Sequence, residues 1–118
     1  MGIVEWIIIA IVIAFLINRF MPVKGISNID VNEAKKKMKD KKVQFIDVRT
    51  PGEYQSNHAK PFKNYPLFNL KKDLSSLDKE KEVVVICQSG MRSTKAAKLL
   101  KENGFSHVYN VQGGMNRW

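Results

Sequence analysis

Residues 83–95 read VVVICQSGMRSTK, an apolar β-branched run followed by a short polar turn and the start of a helix-like sequence. The four residues 83–86 are too few for a helix and too apolar for a surface, which predicts a buried strand of a parallel sheet. Cys87, the only cysteine of the chain, follows that strand directly. From Arg92 to Asn103 the sequence has helical character. The stretch therefore predicts a strand, a tight loop and a helix, with a thiol where the loop begins.

Three features of this position favour the charged form of the Cys87 thiol. The thiol faces the positive end of a helix dipole, the backbone N–H groups of the loop and the Arg92 guanidinium. Cys87 is therefore predicted to be a catalytic nucleophile. The alternative is a buried cysteine that only fills the core, which is common in proteins. The residues predicted to bind substrate are those of the loop and the helix start: Gln88, Ser89, Gly90, Met91, Arg92 and Ser93.

Two further segments accompany this loop. Residues 46–54 read IDVRTPGEY and are followed by His58, and residues 111–118 read VQGGMNRW. In order and spacing, these segments and the six-position loop resemble the signatures of the rhodanese family of sulfurtransferases, over roughly residues 26–118. The chain departs from the family pattern at Asn57, where a glycine is usual, and at residues 61–62, where Pro-Phe replaces Gly-Ala.

The resemblance implies an α/β domain and a sulfur-transfer reaction. Cys87 would take the outer sulfur of thiosulfate or of another persulfide, and a thiophilic acceptor would then remove it. A loop of six positions suits a single sulfane sulfur, whereas the related cysteine phosphatases have one more residue between cysteine and arginine. Two alternatives stay open: a non-enzymatic persulfide carrier or docking module, and a cysteine phosphatase or arsenate reductase.

Three residues outside the loop are candidates for supporting roles. Asp47 and Arg49 follow the predicted neighbouring strand, and we expect a structural ion pair between them. His58 could donate a proton, but a histidine that fixes a turn is the preferred interpretation. No spaced cluster of cysteines, histidines or carboxylates predicts a metal site, and no organic cofactor is implied.

The first 21 residues are strongly apolar, and residues 6–17 contain no charged side chain. A helix over residues 2–21 would be about 30 Å long, the thickness of a bilayer core. The sequence therefore predicts a transmembrane anchor at 1–21, a linker at 22–26 and the domain at 27–118. Because Arg19 and Lys24 follow the apolar segment, the domain is expected to face the cytoplasm. A cleaved signal peptide is disfavoured, since no basic residue precedes the segment.

The chain has 118 residues and a formal net charge of +9, and six lysines lie within residues 35–42. Such a charge suits an anionic membrane surface or anionic substrates, or the lysines could simply form a solvated helix face. Nucleic acid is disfavoured, because no aromatic residues interleave these lysines. With one cysteine the chain has no internal resolving thiol. The expected partners are a small sulfur donor and an acceptor thiol or protein, and the oligomeric state stays open.

The remaining pattern alternates strands and helices, which predicts a parallel sheet with helices on both faces and a site at the carboxyl ends of the strands. Strands are predicted at 43–48, 65–67, 83–86 and 107–111. Helices are predicted at 30–39, from a Thr50 N-cap onward, at 69–77 and at 92–103.

Overall fold

A parallel β-sheet forms the centre of the molecule. The structure is a computed structural model that describes residues 2–20 and 25–118, without the side chains of residues 18–20. Within those residues the strands are β1 (Ile26–Ile29), β2 (Gln44–Asp47), β3 (Lys63–Asn64), β4 (Val83–Ile86) and β5 (Val108–Val111). Their order in the sheet is β1-β5-β4-β2-β3, and all neighbours are parallel. The predicted α/β architecture is confirmed.

Helices connect the strands, and short 3₁₀ turns flank some of them. The α-helices are α1 (Ile3–Phe20), α2 (Val31–Lys37), α3 (Pro51–Ser56), α4 (Leu70–Asp73) and α5 (Met91–Glu102). The predicted caps are present at two helix starts. The Asp30 carboxylate accepts from the Glu33 amide at 2.8 Å, and Thr50 and Glu53 form a reciprocal capping box before α3. These caps satisfy amides that have no partner inside their helices.

The core lies on both faces of the sheet. In β4, Val83 and Val85 pack into one cluster with α4 and α5, and Val84 and Ile86 pack into a second cluster that includes Ala34 of α2. All four side chains of this strand are completely buried. Burial on both faces explains why the strand is an unbroken apolar run rather than an alternating one.

Some predicted element boundaries are wrong. The short strand predicted at 65–67 lies instead at Lys63–Asn64, and a 3₁₀ turn occupies Leu67–Asn69. Pro66 has no amide hydrogen for a sheet ladder, which ends the strand before it. The predicted helix 69–77 is divided into α4 and a second 3₁₀ turn. The strand β1 was not predicted, and its first residue falls in the predicted linker, of which residues 22–24 lie outside the described part.

The N-terminal helix α1 stands apart from both core clusters. Its side chains over residues 3–17 are exposed except for Ile9, which is half-buried. Among the residues that the structure describes, no helix has the length and apolar character needed to cross a membrane. The transmembrane anchor predicted for residues 1–21 is therefore not supported.

Candidate active site

Cys87 lies at the carboxyl end of β4, as predicted, and is completely buried. The Gly90 amide donates a hydrogen bond to the Cys87 Sγ at 3.0 Å. The thiol in turn donates to the Ser93 Oγ at 3.3 Å, and the Ser93 hydroxyl donates to the Gly90 carbonyl at 3.1 Å. The sulfur is therefore enclosed by the loop and the first turn of α5 rather than by the hydrophobic core alone.

The loop closes through Gly90, which directly precedes α5. Its φ of 109° lies in the left-handed region, which favours glycine. Its carbonyl accepts from the Thr94 Oγ1 at 2.7 Å and from the Thr94 amide at 3.2 Å. These bonds join the end of the loop to the helix, so that the Gly90 amide is held against the sulfur.

The peptide groups after Cys87 are oriented by a segment from elsewhere in the chain. The Met115 amide donates to the Cys87 carbonyl at 2.8 Å, and the Asn116 amide donates to the Gln88 carbonyl at 3.0 Å. In a trans peptide the N–H points opposite to the carbonyl, so the amides of Gln88 and Ser89 point away from that segment. In the described part of the chain neither amide has an acceptor. They are available to an anion bound beside the sulfur.

The Gly113-Gly114 turn is what lets that segment approach so closely. Gly113 and Gly114 have φ values of 76° and 56°, both in the left-handed region. A Cβ atom on Gly114 would overlap the carbonyl oxygen of Cys87. The second signature segment, whose role the sequence alone does not reveal, thus acts as a brace for the loop.

The Arg92 guanidinium pairs with Glu53 of α3. Its Nη1 and Nη2 donate to the two carboxylate oxygens of Glu53 at 2.6 and 2.9 Å. Hydrogen bonding to Arg92 lowers the pKa of Glu53 to about 2, and the same bond raises the pKa of Arg92. From sequence Arg92 was expected to face the thiol. The structure instead balances its charge with a carboxylate, and Glu53 is a site residue that the sequence indicated only as part of a helix cap.

Asp47 and Arg49 form the expected ion pair. Both side chains are buried, and the Arg49 Nη2 lies 2.8 Å from the Asp47 Oδ2. Arg49 also donates to the Asn57 carbonyl at 2.6 Å and to the Gln88 Oε1 at 3.2 Å. The pair therefore fixes the turn after α3 and contacts the loop through Gln88. Asn57, which departs from the family pattern, contributes its backbone carbonyl.

His58 contributes none of the hydrogen bonds to the sulfur described above. Its Nδ1 lies 2.8 Å from the Tyr54 carbonyl oxygen, and its ring stacks on the Tyr54 ring with centroids 3.9 Å apart. These contacts agree with a histidine that fixes a turn.

The two remaining predicted substrate-binding positions differ in exposure. Met91 is 76% exposed and stands at the outer edge of the loop, whereas Ser93 is fully buried beneath it. Within the described residues, no group of three or more His, Cys, Asp or Glu side chains is close enough together to hold a metal ion.

Comparison with known proteins agrees with this geometry. The family model of the Rhodanese-like domain matches residues 30–118. The thiosulfate sulfurtransferase GlpE of Vibrio cholerae is 33% identical over 91 residues, which cover 77% of this chain and 86% of that protein. The putative sulfurtransferase YtwF of Bacillus subtilis is 38% identical over 98 residues, covering 83% and 92% of the two chains.

Solved structures show the same similarity. A rhodanese-like domain protein from Staphylococcus aureus superimposes with a TM-score of 0.72 at 33% identity, covering 78% of this chain and 90% of that one. The chain spans only 62% and 43% of the length of two other Bacillus subtilis relatives, the second of them a putative sulfur carrier protein.

Proposed function

Because the chain belongs to the rhodanese-like domain family, whose members similar to it include sulfurtransferases, we propose that it transfers sulfane sulfur through a persulfide on Cys87. The observation that carries this proposal is the hydrogen bond from the Gly90 amide to the Cys87 Sγ at 3.0 Å, inside a loop of six positions. An amide directed at the sulfur is a preorganised hydrogen-bond donor for the negative charge that this atom carries when it attacks and when it leaves.

In the first step the Cys87 thiolate attacks the outer sulfur of thiosulfate or of a persulfide donor. A new S–S bond forms, the S–S bond of the donor breaks, and sulfite or a thiolate leaves with the electron pair. In the second step an acceptor thiolate attacks the outer sulfur and Cys87 leaves as a thiolate. Electrons balance without an outside oxidant or reductant, and the reaction needs no second cysteine in this chain.

The loop amides hold the anionic groups during both steps. The free N–H groups of Gln88 and Ser89 supply donors for the outer sulfur or the donor oxygens. Ser93 adds a hydroxyl that donates to the Gly90 carbonyl when Cys87 is a thiol, and that could turn to donate to the thiolate. Arg92 contributes less attraction for an anion than an unpaired arginine would, because Glu53 balances its charge.

Loop size supports sulfur rather than phosphorus as the transferred group. From Cys87 to Arg92 the loop has six positions, one fewer than the loop of the related cysteine phosphatases. A ring of this size suits one sulfur atom beside Sγ, whereas the longer ring can enclose a tetrahedral phosphate.

Intact mass spectrometry after incubation with thiosulfate tests the proposal. We expect the wild-type chain to gain one sulfur atom and to lose it on addition of cyanide, with thiocyanate released in repeated turnovers. Cys87→Ser should remain folded, gain no sulfur and show transfer reduced at least about 1,000-fold, as for loss of a covalent nucleophile.

Three outcomes would contradict the proposal in different ways. Transfer by Cys87→Ser at a rate close to wild type would exclude the covalent step. Sulfur loading without turnover would indicate a carrier rather than an enzyme. Hydrolysis of an aryl phosphate faster than sulfur transfer would indicate a phosphatase.

A further inference from the structure

The first half of strand β2 has a neighbouring strand on one side only. The strand β4 pairs with all four residues of β2, whereas β3 pairs only with Ile46 and Asp47. A groove of about 380 Å³ lies along the uncovered edge, and residues 43–46, Pro61 and Lys63 are among those that line it. We call this cavity the β2 groove.

Two backbone groups at this edge lack a partner. In a parallel sheet, successive residues of a strand direct their N–H and C=O groups to opposite neighbours. Gln44 faces β4, where its amide donates to the Glu82 carbonyl at 2.9 Å, so the Phe45 N–H and the Val43 C=O point to the other side. Neither group has a hydrogen-bond partner within the described residues. Both residues are buried, and buried backbone groups are rarely left unpaired.

The strand β3 does not cover these two groups. Extended backwards by two residues, β3 would place Pro61 opposite Gln44. Proline has no amide hydrogen to donate to the Val43 carbonyl. The chain instead turns before β3, where the Phe62 amide donates to the Ala59 carbonyl at 3.0 Å. The edge is therefore open to a backbone other than that of β3.

Apolar side chains flank the β2 groove on both faces of the sheet. Tyr65 and Leu77 pack against the core cluster of one face, and Met38 packs against the cluster of the other. All three side chains are half-buried. Because the side chains of a strand alternate between faces, an added strand would place successive side chains against both sets. The groove therefore suits an extended peptide with apolar side chains at its centre.

Basic side chains surround the β2 groove. Lys41 and Lys63 line it, and Lys39 and Lys42 lie within two positions of Lys41. All four are exposed, and in the part of the chain that the structure describes none of them forms a salt bridge. Three of the six lysines of residues 35–42 are thus at or beside this edge.

The sum of the charges identifies the kind of partner. One carboxylate also lines the groove, that of Asp40, whose Oδ1 accepts from the Lys42 amide at 2.9 Å. The charged side chains at the groove are therefore positive in sum, which favours an acidic partner. A second copy of this chain is disfavoured, because it would bring the lysines of two copies together.

The β2 groove is separate from the loop that carries the thiol. Phe45 pairs with Val84, three residues before Cys87, so the unpaired groups lie about 10 Å from Cys87 along the strand direction. None of residues 87–93 lines the groove. A molecule docked there would leave the loop open, and its binding would not depend on sulfur transfer.

We propose that the β2 groove docks an extended acidic segment of a partner protein, which adds to the sheet as a strand parallel to β2. One residue of that segment lies opposite Gln44, donates its N–H to the Val43 carbonyl and accepts from the Phe45 N–H. Apolar side chains of the segment contact the two flanks of the groove, and its carboxylates face Lys41 and Lys63. The main-chain bonds supply affinity, and the side-chain contacts supply selectivity.

The first test is binding of a fluorescently labelled peptide, Asp-Glu-Val-Leu-Val-Glu-Asp, to the full chain. We expect saturable binding by fluorescence anisotropy. An analogue that is N-methylated at its central leucine lacks one amide donor and should bind at least about 10-fold more weakly. The parent peptide should slow hydrogen exchange of the Phe45 amide at least about 10-fold, as for an amide that gains a partner. The Gln44 amide, which is already paired, should be unaffected.

The second test changes the charge of the groove. In the double variant Lys41→Glu/Lys63→Glu, binding of the parent peptide should weaken at least about 10-fold, because two attractions become repulsions. The matched control is Lys71→Glu/Lys72→Glu, which changes the net charge equally at two exposed positions of α4 outside the groove. We expect the control to bind within about 2-fold of wild type.

Several results would overturn the proposal. No binding of the parent peptide, or equal binding of its N-methylated analogue, would show that the backbone bonds are not made. Equal weakening in both double variants would show that the peptide responds only to net charge. Protection of the Phe45 amide that rises with protein concentration, without peptide, would identify a second copy of this chain as the occupant. Cys87→Ser keeps the groove and should bind the peptide as wild type does, so docking and the proposed function are tested independently.

Discussion

Glu53 takes part in two interactions, since it completes the capping box with Thr50 and also binds Arg92. The cap could be predicted because its two residues are three positions apart. The pairing with Arg92 could not, because it joins residues 39 positions apart and depends on how α3 and α5 pack against the sheet. Asp47 and Arg49 are two positions apart at the end of a strand, and their ion pair was accessible from sequence.

Glu53→Gln should destabilise the protein in a pH-dependent way. The folded-state pKa of Glu53 is about 2, below its usual value of 4.5, so the ionised form stabilises the fold. This stabilisation is complete above pH 4.5 and is lost as the pH falls from 4.5 to about 2. Because both side chains are about one-third exposed, we expect a difference of only about 0.5–1 kcal/mol in the free energy of unfolding at pH 7.

Urea unfolding at a series of pH values measures this effect. Glu102→Gln, an exposed position of α5, controls for the loss of a surface charge. A difference between wild type and Glu53→Gln that persists unchanged at pH 2 would contradict the ion-pair explanation.

At the scale of elements, the two that flank the loop were the most predictable. The strand β4 is confirmed at its predicted residues, and α5 begins within one residue of the predicted start. Both have strong local signals: an unbroken β-branched run, and a glycine before the helix. By contrast, β1 has the sequence ISNI with a buried side chain only at its end, so hydrophobic pattern alone does not reveal it. It forms because β5 offers it a free edge.

The turn at Gly113-Gly114 gives a prediction at this scale. Gly114→Ala places a methyl group against the Cys87 carbonyl and leaves a residue with a side chain at a φ of 56°. Since backbone atoms must move, we expect sulfur transfer to fall at least about 10-fold, with the free energy of unfolding lowered by about 1–3 kcal/mol.

Gly52→Ala provides the matched control, because a Cβ atom at Gly52 in α3 would have no atom within 4 Å. That variant should keep its activity and be unchanged or slightly more stable, since alanine is the better helix former. Sulfur-transfer kinetics and thermal unfolding, measured for both variants, test whether the loss is specific to Gly114→Ala. Full activity in Gly114→Ala would show that the brace is unnecessary.

At the scale of the whole molecule, some of the lysines of residues 35–42 make contacts within the same domain that carries the site. Two lysines of the 35–42 run contact aromatic rings of the domain: Lys35 over Trp118 at 5.2 Å and Lys37 over Tyr109 at 3.9 Å. Lys37 also lies 3.6 Å from a carboxylate oxygen of Glu82. These contacts were not accessible from sequence, because they join α2 to Glu82, Tyr109 and Trp118, which are far from it along the chain. Lys35 and Lys37 are therefore engaged within the domain, although their charge had suggested an anionic surface as a partner.

The position of α1 outside both cores leads to a prediction about truncation. Removal of residues 1–20 should leave the melting temperature within about 2 °C of the full chain, because few core contacts are lost. Removal of residues 1–29 also deletes β1, with its ladder to β5 and the buried Ile29, and should lower the melting temperature by more than about 5 °C. Calorimetry of the two shortened chains makes the comparison. A large loss on removing residues 1–20 alone would show that α1 is part of the fold.

The brace formed by Met115 and Asn116 ties the loop to a segment 28 residues further along the chain. Such a segment can detach in a local opening that costs less free energy than unfolding of the sheet. When it detaches, the carbonyls of Cys87 and Gln88 are released, the peptide groups can rotate, and the inward-facing amides are lost while β4 stays paired. The hydrogen-exchange rates of the Met115 and Asn116 amides would then measure how often this segment detaches. The exchange rates of the β4 amides would measure how often the sheet unfolds. The conformation of the loop would then be lost in an opening that leaves the sheet intact, so that the site and the domain would have separate stabilities.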